Sequence, residues 1–219
     1  VAQPKTEAEL ATLVTQARKV RVVGAGHSFM PLCETDGALL SLSELEGGIC
    51  FNADKSRVWA PAGWSLAKLT AALWESGVSL INQGDVNPQS LAGAIGTGTH
   101  GTGAQLGSIS TAARGFRLMM ADGAIVTCTE SERPELFQAA RLSLGMVGVA
   151  TQIEIDVLPA YHLEERVETY PLEEVEARWG ELAANNRHVE FFVFPYGKYV
   201  VLKTLNPAPS EGALKHMND

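Results

Sequence analysis

The run Val22-Val23-Gly24-Ala25-Gly26-His27-Ser28-Phe29 constrains this chain more than any other stretch. Two β-branched residues end a buried strand, two glycines let the backbone close on a neighbour or a ligand, and an imidazole follows at once. G-x-G after a strand is the start of a dinucleotide fingerprint, in which backbone amides approach a diphosphate. The third glycine is missing. Phe29 stands in its place, and Pro31, Asp36 and Gly37 break the chain before a long amphipathic helix can form. This excludes a Rossmann unit and leaves two readings: a ligand-gripping turn, or a tight turn whose histidine caps stray carbonyls.

A second segment, GDVNPQSLAGAIGTGTHGTG from Gly84 to Gly103, narrows the choice. Six of its twenty residues are glycine, four are Ser or Thr, and none is Lys or Arg. It offers an anion N–H and O–H donors without formal charge. A P-loop needs a lysine at a fixed spacing, which is absent. Leu91, Ala92, Ala94 and Ile95 make the stretch too apolar for a disordered linker. By itself it also reads as a buried loop packed closely on neighbouring backbone.

In this order, and with Ser143-Leu144-Gly145-Met146-Val147-Gly148-Val149-Ala150-Thr151-Gln152-Ile153 as a third piece, the motifs resemble the FAD-binding domain of the vanillyl-alcohol oxidase superfamily. The resemblance is strongest to its sugar-acting branch, the alditol oxidases and aldonolactone oxidases such as L-gulono-1,4-lactone and D-arabinono-1,4-lactone oxidase. It covers about residues 5–158, and more loosely about 187–206. It implies an α+β fold: a two-subdomain FAD-binding domain over about residues 1–158 (subdomains about 1–55 and 56–158), then the start of an α+β substrate domain over about 159–219. Family members are about twice this length, so a truncated substrate domain, or a further portion or second chain, is expected.

The resemblance also implies roles. Val22, Val23, Gly24, Ala25, Gly26, His27 and Ser28 would wrap the diphosphate, with Gly24, Ala25 and Gly26 donating N–H groups. His27 would bond covalently to the 8-methyl carbon of FAD, anchoring the ring and raising its potential. Ser90, Gly93, Thr97, Gly98, Thr99 and His100 align with flavin and phosphate contacts; His100 reads equally well as a structural histidine. Val149 and Ile153 would lie beside the adenine. Gly84 matches the position near the reactive flavin edge where a missing methyl leaves a path for oxygen, although its own sequence context also fits a tight turn. Asp85, expected to contact the flavin, stands where this branch often has serine. The groups that activate the substrate come largely from the other half of the family's length, so no further catalytic residue is assigned.

The implied function is FAD-dependent oxidation of a CH–OH group of a small neutral sugar lactone or polyol. Hydride passes to flavin N5, and oxygen as acceptor gives hydrogen peroxide. Two alternatives stand beside it: a dehydrogenase of the same fold using a quinone or cytochrome, and an FAD-binding module inactive without its substrate domain.

Composition agrees. With 219 residues and 46% hydrophobic content, the chain can build one large or two small cores. A net charge of -8 without a basic stripe argues against nucleic acid and anionic membranes. No apolar run reaches the length of a transmembrane segment and no export signal precedes Thr6, so a cytoplasmic protein is expected. Cys33, Cys50 and Cys128 are odd in number and scattered, which suits buried or half-buried thiols in a reducing compartment better than disulfides or zinc. His27 and His100 lack a third ligand at metal-site spacing. His162, His188 and His216 lie in polar segments and are expected at the surface.

Patterning predicts the elements. A helix over 7–18 starts with a Thr6/Glu9 capping box and feeds a strand over 20–23. Strands follow at 39–42 and 58–63, then a helix capped by Ser65 and ending near Gly77. Residues 115–120 and 125–128 form a hairpin about Asp122-Gly123, Pro134 opens a short helix, and Ile153, Ile155 and Val157 mark a half-buried strand. A crossover over 159–170, a helix over 171–185 and a hairpin of 189–194 with 199–204 complete the expectation.

Overall fold

The computed structural model describes residues 1–208. Their backbone divides into two units, one of Val1–Gly101 with Gly107–Pro159, the other of Thr102–Leu106 with the chain from Ala160 onward.

The first unit opens with α1 (Glu7–Gln16), whose Glu9 N–H donates to the Thr6 hydroxyl at 3.2 Å. The Glu9 carboxylate reaches one residue further back than a capping box requires and accepts from the Lys5 N–H. Next come β1 (Val20–Val22), β2 (Ala38–Leu40), β3 (Cys50–Phe51) and β4 (Arg57–Pro61), followed by α2 (Leu66–Glu75), β5 (Val78–Leu80) and α3 (Leu91–Gly96). A 3-10 turn at Ile109–Ala112 leads to β6 (Ala113–Met119), β7 (Ile125–Thr129), α4 (Pro134–Ala140) and β8 (Val149–Pro159). Helix α3 lies inside the glycine-rich segment that reads as a loop. Ser90 caps it by accepting from the Gly93 N–H at 3.2 Å, and Leu91, Ala94 and Ile95 turn into the core, which offsets the helix-weakening glycines.

Strands β1 and β2 pair in parallel, while the larger sheet runs β3-β4-β8-β6-β7 with β5 also on β8. Strand β8 carries the unit. Val149, Thr151, Ile153, Ile155 and Val157 point inward at every second position, the alternation expected of a sheet with one solvated face. Two apolar clusters result. One gathers Leu69, Leu73, Ile95, Phe116, Phe137 and Ile153 among others, and the second gathers Leu10, Val14, Leu40, Leu42, Met119 and Val149. The turn between β6 and β7 closes with Gly123 at φ +81°, as Asp-Gly predicts.

The second unit contains β9 (Leu163–Pro171), α5 (Leu172–Asn185), β10 (His188–Val193) and β11 (Tyr199–Pro207), in sheet order β10-β11-β9. Its core is Val175, Val189, Val200 and Leu202. Two expectations are corrected here. The crossover over 159–170 is largely strand β9, in register with β11 from Leu163↔Pro207 to Tyr199↔Pro171. Charged residues on both its faces, among them Glu164, Glu165, Arg166 and Glu168, remove the apolar alternation that would reveal it. His188 is buried, not superficial: its Nδ1 lies 3.1 Å from the Thr102 carbonyl oxygen and 3.3 Å from the Thr102 hydroxyl. Burial pushes its pKa below the ordinary imidazole value, with Arg187 and Lys203 acting in the same direction and the Thr102 carbonyl and Glu190 opposing. His162 is half-buried, and His216 lies outside the described residues.

Of the thiols, Cys128 is buried and its pKa pushed up by that burial, Cys33 is half-buried, and Cys50 is exposed at the edge strand β3, contrary to expectation. No helix among the described residues is long and apolar enough to cross a membrane.

Candidate functional site

A cleft of about 890 Å³ opens in the first unit, near the upper end of the roughly 300–1,000 Å³ usual for small-molecule sites. The first glycine turn forms part of its wall. Val22, Val23, Gly24, Ala25, Gly26, His27 and Ser28 all line it, and residues 24–28 are exposed. The Val23 N–H donates to Leu40 at 2.8 Å, the last ladder bond before the turn. Beyond it, among the described residues, the backbone N–H groups of residues 24–28 donate to no protein acceptor. Five successive unpaired donors in a concave wall form a ready anion cradle. Gly26 holds φ +71°, which turns the chain back on itself.

The second segment meets the first where Gly24 lies against Ser90. A β-carbon on Gly24 would collide with the Ser90 hydroxyl and come within 3.0 Å of the Ser90 Cβ, so only glycine lets the turn lie against the cap of α3. From this segment Ser90, Gly93, Thr97 and Thr99 line the cleft. Gly84, Asp85, Gly98 and His100 are not among the lining residues. Gly84 faces the His100 carbonyl oxygen, 3.2 Å from where a β-carbon would stand, and the exposed His100 ring lies with Nδ1 2.9 Å from the Gly101 oxygen. Gly98 has φ +73° just beyond α3.

The late glycine turn completes the enclosure. Leu144 donates its N–H to the Gly96 oxygen at 3.3 Å, setting this turn against the end of α3. Val149 and Ile153 of β8 line the cleft together with Ser143, Gly145 and Gly148. Phe116, Leu118, Ala140 and Ala150 add an apolar wall.

Sequence reasoning missed much of the remaining lining: Met30 to Glu34, Ser41 to Ser43, Ala62 to Ser65, Lys68, Pro88 and Gln89. One signal was available. Pro61-Ala62-Gly63-Trp64-Ser65 is a strand-turn-cap sequence, and Gly63 fits so closely under the Leu42 carbonyl that a β-carbon would overlap it. Gln89 adds a polar demand, since its side-chain carbonyl oxygen is buried in the wall without a hydrogen-bond donor. A buried acceptor of this kind is costly unless a donor reaches it. Among the described residues no group of three His, Cys, Asp or Glu could hold a metal ion.

The comparisons agree with this geometry. A family model described as FAD binding domain matches residues 1–129, and one described as D-arabinono-1,4-lactone oxidase matches residues 153–218. L-gulono-1,4-lactone dehydrogenase of Mycobacterium tuberculosis is 34% identical over 221 residues, covering 97% of this chain and 51% of that protein. L-gulonolactone oxidase of Bos taurus is 34% identical over 191 residues, covering 87% and 43%. D-arabinono-1,4-lactone oxidase of Yarrowia lipolytica is 32% identical over 208 residues, covering 91% and 40%. The chain thus spans about half the length of the relatives it matches. Among solved structures, a histidine-to-alanine variant of cholesterol oxidase from Brevibacterium sterolicum superimposes with a TM-score of 0.80 at 19% identity, over 94% of this chain and 44% of that one; the likeness is one of fold. By the match over residues 1–129, with the glycine turn and cleft it contains, this chain belongs to the FAD-binding domain family.

Proposed function

We propose that the whole protein is an FAD-dependent oxidoreductase that oxidises a CH–OH group of a sugar lactone, with oxygen as acceptor and hydrogen peroxide as product. The observation that carries the cofactor half of this reading is that residues 24–28, whose backbone N–H groups find no acceptor among the described residues, line the cleft. The residues present fit FAD. The amide run suits a diphosphate, the Ser and Thr hydroxyls suit the ribityl and ribose oxygens, the Gln89 oxygen awaits a donor, and Phe116, Leu118 and Ile153 suit a flat aromatic ring system. When bound, FAD would supply the two-electron acceptor that no side chain here provides.

Within that reading the protein's own residues have distinct tasks. Residues 24–28 bind the diphosphate through backbone N–H groups, and Ser90 keeps that turn in place by standing directly behind Gly24. His27, exposed on the cleft wall, would carry the covalent bond to the flavin's 8-methyl carbon. The apolar wall excludes water from the ring. Groups that orient and deprotonate the alcohol are assigned to the other half of the relatives' length.

The test is direct. Purified protein run on a denaturing gel should show a fluorescent flavin band, and flavin released wholly on denaturation would defeat the covalent bond. Peroxide formed on adding aldonolactones supports the oxidase reading. A second reading, a dehydrogenase passing electrons to a quinone or cytochrome, is favoured by the Mycobacterium tuberculosis relative, which is named a dehydrogenase. Rapid reduction by lactone followed by slow reoxidation in air would select it.

A further inference from the structure

The FAD reading leaves one charged side chain of the cleft without a task. Of the described residues lining it, Lys68 and Glu34 are the only Lys, Arg, Asp or Glu, and Lys68 alone of these is positive. Lys68 stands in the first turn of α2, where its N–H donates to the capping Ser65 hydroxyl at 3.1 Å. Its ammonium group is already placed: Nζ lies 4.1 Å from the centre of the Trp64 ring, and Trp64 lines the same cleft. An exposed cation on an indole face is held weakly enough to exchange that contact for a phosphate oxygen.

Backbone contacts carry this position to the glycine turn. Ser65 pairs with Ser90 in an isolated antiparallel bridge, the Leu66 N–H donates to the Gln89 backbone carbonyl oxygen at 2.8 Å, and the Leu91 N–H donates to the Trp64 backbone carbonyl oxygen at 2.9 Å. Ser90 in turn stands against Gly24. The foot of α2 and the unpaired amides of residues 24–28 are therefore parts of one wall. Those amides offer only partial positive charge, whereas a diphosphate brings full negative charges to a chain whose own net charge is -8. We infer that Lys68 is the ion-pairing residue for the cofactor's diphosphate, held in readiness on Trp64 and transferred to the phosphate oxygens on binding. The assignment rests on the FAD reading.

ADP and adenosine separate the diphosphate from the rest of the ligand, and neither can form the covalent bond. Flavin-free protein titrated calorimetrically should bind ADP more tightly than adenosine, by a margin that shrinks as salt is raised. Lys68→Gln should weaken ADP about fivefold to tenfold, leave adenosine unchanged, and be rescued by Lys68→Arg. Where ADP alone binds too weakly to register, FAD against riboflavin in the His27→Ala background makes the same comparison. Equal affinity of wild type and Lys68→Gln for the diphosphate ligand overturns the inference, and so does an equal loss on both ligands, which would make Lys68 a steric part of the wall. Failure of wild type to bind FAD at all sinks the FAD reading and this assignment with it; FAD binding that is indifferent to Lys68 sinks the ion pair alone.

Discussion

Between residues 24 and 28 the backbone N–H groups find no acceptor among the described residues, whereas in the second glycine-rich segment those of Gly93, Ala94, Thr97, Gly98 and Thr99 are taken by Ser90, Gly93, Ile95 and Ala94. The two stretches are alike in composition and opposite in use. In the first, glycine brings a turn close to its support while the turn's donors are left without a protein acceptor in the cleft wall. In the second, the donors around α3 close that helix and its exit, so what α3 and its exit offer a ligand is hydroxyl side chains and shape. Glycine enrichment therefore marks a place where backbones come close. Whether its amides bind anything depends on where their hydrogen bonds go.

If the first segment is the cofactor grip and the second its scaffold, substitutions in them should have different signatures. His27→Ala should abolish all flavin fluorescence that survives denaturing electrophoresis, while Ser90→Ala should retain the band; loss of the band in both would erase the distinction. Gly24→Ala drives a methyl into Ser90 and should lower stability by about 1–3 kcal/mol, with a fall in FAD affinity of roughly a hundredfold, read by thermal melting and flavin titration. At Gly26, with φ +71° and nothing within 4 Å of where a β-carbon would stand, the same change should cost only about 1 kcal/mol. Ser90→Ala removes the α3 cap and should cost about 1 kcal/mol on its own, yet partly relieve Gly24→Ala, a non-additivity that a double-mutant cycle of melting midpoints would record.

The smallest effect concerns the tail of the second segment, where Thr102 meets His188. Burial lowers the His188 pKa, so the folded state takes up the proton less readily than the unfolded one. Stability is then full above the ordinary imidazole value of about 6.5 and declines as pH falls through it toward the lowered folded value. The unfolding midpoint should drop between pH 7 and pH 5, and His188→Gln should flatten that slope; parallel slopes would show that another group titrates.

Features set by near neighbours in sequence were readable in advance. The inward alternation of β8, the Ser65 cap of α2 and the Pro134 start of α4 each depend on residues a few positions apart. The His27 turn was found because a strand, two glycines and an imidazole are contiguous. The misses were set by distant partners. Strand β9 is polar on both faces and owes its extended form to β11 some thirty residues later, and His188 is buried by Thr102, 86 residues earlier. Trp64, Lys68 and Gln89 reach the cleft through the pairing of Ser65 with Ser90, which no local pattern announces.

Strand β8 has a dynamic consequence. Val149 at its start belongs to one apolar cluster, and Ile153, Ile155 and Val157 further along belong to the other; the neighbouring β6 does the same with Met119 against Phe116 and Leu118. The two apolar clusters thus share their central strands and should open together, with β8 amides among the slowest in the first unit to exchange with deuterium. A cofactor would enter the cleft through local opening of the glycine turns, on their own timescale, while the sheet behind them stays closed.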